Sequence, residues 1–289
     1  MAQDLYLAVP SWTGTWHRFR VIDHARAFVA HAGCRLHVIW AVSHGVANCR
    51  FEDLFSPIPN IRVLNLSESG MDELEQRSSG ASTLEFDGKK LAVYRPGGKT
   101  TGNMIAFDFE AARALEAAVP KPNVKKVRPL RAIPAAELRN KANNYINDMK
   151  MSGRLGVRVR VTECSIDGRK PRRIQPELDE TLRSIICLPW HTPVFLVTDS
   201  EYMQLMLSSH FHDCRFLRKS FTEEHDTGQY LSRFDREGMR VFMTEVMCLE
   251  ACRKIINIGG FLNQDSVADK IVRPPWDIKA LDLRGNPPP

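Results

Sequence analysis

In the stretch "LGVRVRVTE", strand alternation sends Leu155, Val157, Val159 and Val161 to one side and Gly156, Arg158 and Arg160 to the other. Two guanidiniums on one face of an otherwise apolar strand are costly to bury unless anions meet them, and their planar forks grip pairs of phosphate or carboxylate oxygens. A diphosphate is a natural occupant. Thr162 and Glu163 follow in the turn. Glu163 there is either a proton acceptor or an ion-pair partner of Arg160.

Two further strand ends carry chemistry. In "FLVTDS", Thr198 and Asp199 leave a strand, and Asp199 or Ser200 can cap the next helix. In "IGGFLNQDS", a turn loosened by Gly259 and Gly260 precedes a helix, and Asn263, Gln264, Asp265 and Ser266 offer donors to an anion. Each has a structural alternative: Arg160 paired with Glu163 or Asp199, Asp199 as a helix cap only, the glycines as a tight turn only. The chain has no Walker A string, G-x-G-x-x-G, G-x-S-x-G, H-E-x-x-H or D-x-D. A diphosphate handled without a carboxylate-bound metal needs fixed cations, and arginines supply them.

The elements that must position these groups alternate strand and helix. "LYLAV" is a strand, the 3.6-residue period of "RVIDHARAFVAHAG" is a helix stopped by Gly33, and "RLHVIW" is a strand again. A hairpin is expected at Asp87-Gly88, and helices over Ile105 to Val119 and Ala135 to Met151. Beyond Leu155 the alternation is regular: strand 155–161, helix about 176–187, strand "PVFLVT", a helix after Ser200, strand "CRFLRK", a helix near Glu237 to Cys252, strand "KIINIGG" and a last helix from about Asp265. This order predicts an α/β protein with mainly parallel, helix-covered sheets, in two Rossmann-like halves, 1–150 and 151–289.

Composition narrows the classes. The 289 residues are 43% hydrophobic, enough for a sizeable core in one or two domains. No apolar run is long enough for a membrane span, and the first residues lack a secretory pattern, so a cytoplasmic protein is expected. Seven scattered cysteines point to reduced thiols rather than a disulfide framework, and Cys248 and Cys252, four apart on a helix, read as core residues more readily than as half a metal site. From Lys121 to Arg173, fifteen Lys or Arg face four Asp or Glu, within a net charge of +6. Such a block is a solvated face, a nucleic-acid footprint or a site for a phosphorylated small molecule. Tyr145 is its only aromatic residue, which argues against base stacking and so against single-stranded nucleic acid.

The stretch "TGTWHRFRVIDHARAFVAHAGCRLHVIW", with "CRFEDLF" at Cys49 to Phe55, resembles the N-terminal motif of bacterial fucosyltransferases related to the nodulation α-1,6-fucosyltransferase. His17-Arg18-Phe19-Arg20 stands at that family's Asn-Arg-Leu-Arg, and Trp40 closes the strand. "LGVRVRVTE" is similar to its Gly-Val-His-x-Arg-x-x-Asp strand, with Arg158 at the histidine and Glu163 at the acidic position. "VFLVTDS" is similar to its Ala-Thr-Asp strand end, and "MCLEACRKIINIGGFL" to its leucine-and-cysteine helix and Gly-Ser-x-Phe turn.

The resemblance implies a GT-B-like architecture of two facing Rossmann-like domains, the first on the acceptor side and the second binding a GDP-sugar. It also implies inverting transfer, of fucose in that family, to a hydroxyl of a glycan, natural product or protein, with no metal and no cofactor besides the donor. Carried residue by residue, it gives Arg160 and Glu163 catalytic roles. Donor contacts fall to Arg18, Arg20, Arg158, Arg160, Thr198, Asp199, Gly260, Asn263 and Ser266. Asp23 on the first helix is a second candidate base. A reading from another class is a catalytically silent module of the same fold, whose basic centre binds a nucleotide, a phosphorylated partner or nucleic acid.

Overall fold

The computed structural model describes residues 3–9, 15–42, 48–120, 133–159, 183, 185–223, 229–231, 236–258 and 280–281. The chain divides into two compact units, Met1–Ile133 with Phe234–Arg236, and Pro134–Arg233 with Glu237–Pro289.

The first unit begins with β1 (Asp4–Val9), α1 (Thr15–Ala32) and β2 (Arg35–Val42). Every residue of β1 is buried, as expected of a parallel strand covered on both faces. Gly33, at φ 66°, ends α1 in the left-handed conformation that lets its N–H reach the Val29 carbonyl. After α2 (Phe51–Leu54) come β3 (Ile61–Ser67) and α3 (Glu68–Ser78), whose Ser67 cap accepts from the Gly70 N–H. The hairpin at Asp87-Gly88 joins β4 (Thr83–Phe86) to β5 (Lys89–Val93), and both turn residues have positive φ, the primed geometry that matches strand twist.

The helix expected from Ile105 starts later. Met104–Phe107 is strand β6, and only at Asp108 does the chain turn into α4 (Asp108–Ala117). The sheet order is β3-β2-β1-β6-β5-β4, parallel except for β4. Tyr6, Ala8, Ile39 and Ile105 pack with Met71 and Leu74 of α3, while α1 and α4 lie together on the opposite face.

The second unit takes in α5 (Ala136–Asp148), β7 (Leu155–Val159), β8 (Val194–Thr198), α6 (Glu201–His210), β9 (Cys214–Arg215), the hairpin β10 (Phe221–Glu223) and β11 (Gln229–Leu231), α7 (Arg236–Glu250), β12 (Lys254–Ile258) and β13 (Ala280–Leu281). Because Ala142 and Tyr145 of α5 share a core with Phe195 and Val197, the division falls before this helix. The strand expected over "CRFLRK" is confined to Cys214–Arg215, and most of the helix expected at 176–187 and all of that after Asp265 lie outside the described residues.

Its main sheet, β13-β12-β7-β8-β9, is wholly parallel. One face, with Val157, Val159 and Leu196, packs on Met203 and Leu207 of α6. The other, with Phe195, Val197 and Ile255, packs on α5 and on Val241, Cys248 and Leu249 of α7. Gly156 makes the second contact possible, since a Cβ there would stand 3.0 Å from the Leu249 Cδ2 and 3.2 Å from the Cys252 Cβ. The chain is thus an α/β protein with mainly parallel sheets in two Rossmann-like units.

Candidate functional site: a buried charge cluster at the strand ends of the second unit

In open parallel sheets, ligands gather beyond the C-terminal ends of the strands. Here the ends of β7, β8 and β12 lie side by side, with Arg158 in register between Val197 and Asn257. Neighbours in register share a face, so half-buried Arg158 stands on the α7 side with Val197.

That face is not purely apolar. Positions 241, 245, 248 and 249 form one stripe of α7, and three of them, Val241, Cys248 and Leu249, are core residues. The fourth is Glu245, fully enclosed, whose Oε1 accepts from the Lys219 Nζ at 2.6 Å with neither side chain reaching solvent. Burial pushes the Glu245 carboxyl above its usual range, against the pull of Lys219 and of Arg158, while the Asp199 charge adds to the push. Glu245 on α7 thus pairs with Lys219 from beyond β9 and feels the charges of Arg158 on β7 and Asp199 after β8. A carboxylate and an ammonium fully withdrawn from water are a feature that packing alone does not call for, since apolar residues of like volume often serve stability as well.

The strand end of β8 splits the expected pair. Thr198, in register with Val159, faces α6 and is enclosed, and its Oγ1 accepts from the Ser200 N–H at 3.2 Å. Ser200 caps α6 by accepting from the Met203 N–H, so Asp199, 6% exposed, is not needed as the cap and belongs to the charge cluster. Arg160, Glu163, Gly260, Asn263 and Ser266 lie outside the described residues. Cys248 and Cys252 are core thiols pushed up to about 12 by burial, and no group of three metal-binding side chains occurs among the described residues.

In the first unit, Arg18 is completely enclosed. Its guanidinium stacks 4.6 Å over Trp40 and donates to the Ala41 carbonyl, and burial pulls it down to about 10. Those contacts make it a pin between α1 and β2. Arg20, half-buried, lies 5.6 Å over Phe109 of α4, and Asp23 pairs with Arg26 at 2.7 Å. The aromatic residues of "CRFEDLF" have a packing role: Phe19, Trp40, Phe51 and Phe55 form one cluster, with the Trp40 Nε1 donating to the Cys49 carbonyl at 3.0 Å. A cleft of about 630 Å³ opens where β2 and β3 end and α3 begins, lined by Asn48, Arg50, Asn65, Ser67, Glu68 and Asp72 among others.

The sequence reading missed Glu245 and Lys219. The available signal was a glutamate inside an apolar helical stripe, four residues from both Val241 and Leu249.

Solved structures similar to this chain include the α-1,6-fucosyltransferase NodZ co-crystallized with GDP (16% identity, 89% of this chain and 88% of that chain, TM-score 0.49). Two others are selenomethionine NodZ from Bradyrhizobium (15%, 89% and 87%, 0.49) and POFUT1 in complex with GDP (8%, 88% and 91%, 0.39). No protein-family model and no curated protein matches the chain.

Proposed function

We propose that the protein is a glycosyltransferase of GT-B type that moves a sugar, fucose by resemblance, from a GDP-sugar to an acceptor hydroxyl with inversion. The observation that carries this reading is Arg158, near the C-terminal end of the central β7 between β8 and β12 of a parallel sheet, where an anionic ligand is expected. The motif resemblance supplies the donor class. Arg158 and Arg160 hold the diphosphate, the acceptor oxygen attacks the anomeric carbon as the bond to the β-phosphate breaks, and GDP leaves with its new charge met by guanidinium. Glu163, at the motif's acidic position, takes the acceptor proton. The polar cleft above β2 and β3 receives the acceptor, since its amides, hydroxyls and carboxylates suit a polyhydroxylated ligand.

Nucleotide selectivity tests the proposal. GDP should raise the unfolding temperature more than ADP or UDP do, and at 100 times its Kd it should add about 2.7 kcal/mol. Equal shifts with all three would leave a non-selective anion site in place of a GDP-sugar enzyme. Selective protection without turnover of GDP-fucose would favour the catalytically silent module.

A further inference from the structure

The buried pair of Glu245 and Lys219 goes beyond what the proposed reaction uses directly. If it only joined α7 to the loop beyond β9, one carboxylate and one ammonium would be complete in themselves. Two observations show more. Arg158, from the central strand of the sheet, stands with Val197 on the face that α7 covers, the face toward which the Val241, Glu245 and Leu249 stripe is turned, and its charge acts on the same carboxylate. The Glu245 Oε2, enclosed like the rest of the side chain, has no hydrogen-bond partner among the described residues, so the group has accepting capacity that Lys219 does not use. Among the described residues, Asp199 and Cys248 also act on it. Lys141 and Glu137 of α5 engage Glu237 and Arg240, one to two turns nearer the start of α7.

We propose that Glu245 is a positioning residue for Arg158: from inside the interface of α7 and the sheet, with Lys219 balancing its charge, it sets where the guanidinium stands at the end of β7. The proposal rests on the reading of Arg158 as a diphosphate ligand. A carboxylate in a low-dielectric interface orients a nearby guanidinium more firmly than water does, and a preoriented fork loses less freedom when it grips an anion. Val241, Cys248 and Leu249 fix α7 on the sheet, and Gly156 removes the side chain that would hold it away, so the carboxylate has a defined place.

The test separates geometry from binding. The side-chain Nε–Hε resonance of Arg158, assigned by its loss in Arg158→Lys, is followed by NMR without ligand. Arg154, whose Nε donates to the Met149 carbonyl and whose Nη1 meets Asp213, is the reference within the same unit. In Glu245→Gln the Arg158 resonance should shift or broaden while that of Arg154 stays. Affinity for GDP, measured by calorimetry, should fall roughly tenfold, the loss expected for one misplaced charge-assisted contact. Glu245→Asp should recover part of both effects. A folded Glu245→Gln protein with an unmoved Arg158 resonance and unaltered GDP affinity overturns the proposal. If Glu245→Gln does not fold, the double variant Glu245→Gln/Lys219→Met, which leaves no unpaired buried ammonium, is read in the same way. Failure of the wild type to bind GDP at all removes the donor reading, while the resonance of Arg158 still decides whether Glu245 positions it.

Discussion

Removing the charge of Asp4 should destabilise the first unit by an amount that depends on pH. Its carboxylate, nearly enclosed, accepts from Arg35 at 2.8 Å, from His37 at 3.1 Å and from Lys89 at 2.5 Å. Burial by itself would raise this group, but the donations from Lys89, His37 and Arg35 prevail and hold it at about 2, against 3.8 in the unfolded chain. Each pH unit of such a difference is about 1.4 kcal/mol, so the ionised form contributes about 2 kcal/mol. The folded value lies below the unfolded one. The contribution is therefore complete above about pH 4 and is lost as pH falls through about 2. Asp4→Asn should cost about 2 kcal/mol at pH 7 in urea titrations that follow Trp40, and almost nothing near pH 2. Hydrogen exchange of β1 should show the same pH-dependent difference. An equal loss at both pH values would mean that the asparagine fails sterically rather than electrostatically. A loss below about 0.5 kcal/mol at pH 7 would refute a stabilising network.

Gly156→Ala should destabilise the second unit by about 1 to 3 kcal/mol in a urea titration, because the new methyl group meets Leu249 and Cys252 at 3.0 to 3.3 Å and α7 must shift to admit it. Arg18→Leu should lower the melting temperature through loss of the bond to the Ala41 carbonyl and of the stacking on Trp40, while the GDP affinity of the folded protein changes by less than about twofold. A tenfold loss of GDP affinity in that variant would show that Arg18 holds the donor, as the motif resemblance implies.

Strong periodicity made much of the fold legible. The first strand, helix and strand, the Gly33 stop and the hairpin at Asp87-Gly88 could be read because a clear 3.6-residue pattern, a left-handed terminator and a positive-φ pair each have one structural meaning. "MIAF" could not, since four apolar residues ahead of a helix fit either a buried strand or another helical turn, and only pairing with β1 and β5 decides. β3 and α3, absent from the reading, depend in the same way on packing against β2 and the sheet. At the second unit's strand ends, the alternation of "LGVRV" put Arg158 on the face opposite Val157 and Val159, but the Glu245 and Lys219 pair comes from positions far apart in the chain that no local pattern joins. Thr198 and Asp199, adjacent in sequence, were taken together, but Thr198 ends β8 in register with Val159 while Asp199 lies beyond the strand.

The strand pairings also set an order in time. In each unit the strand made first lies inside the sheet: β1 sits between β2 and β6, and β7 between β8 and β12. During synthesis, β1 can complete its ladders once Met104–Phe107 has emerged, well before the second unit exists. β7 must wait for Lys254–Ile258, and until then one of its edges remains unpaired. Unpaired strand edges of nascent domains are where misassociation begins, and long-range pairing is slow to form. Arg158, a charge near the end of β7, is then the kind of residue that keeps such an edge from joining another.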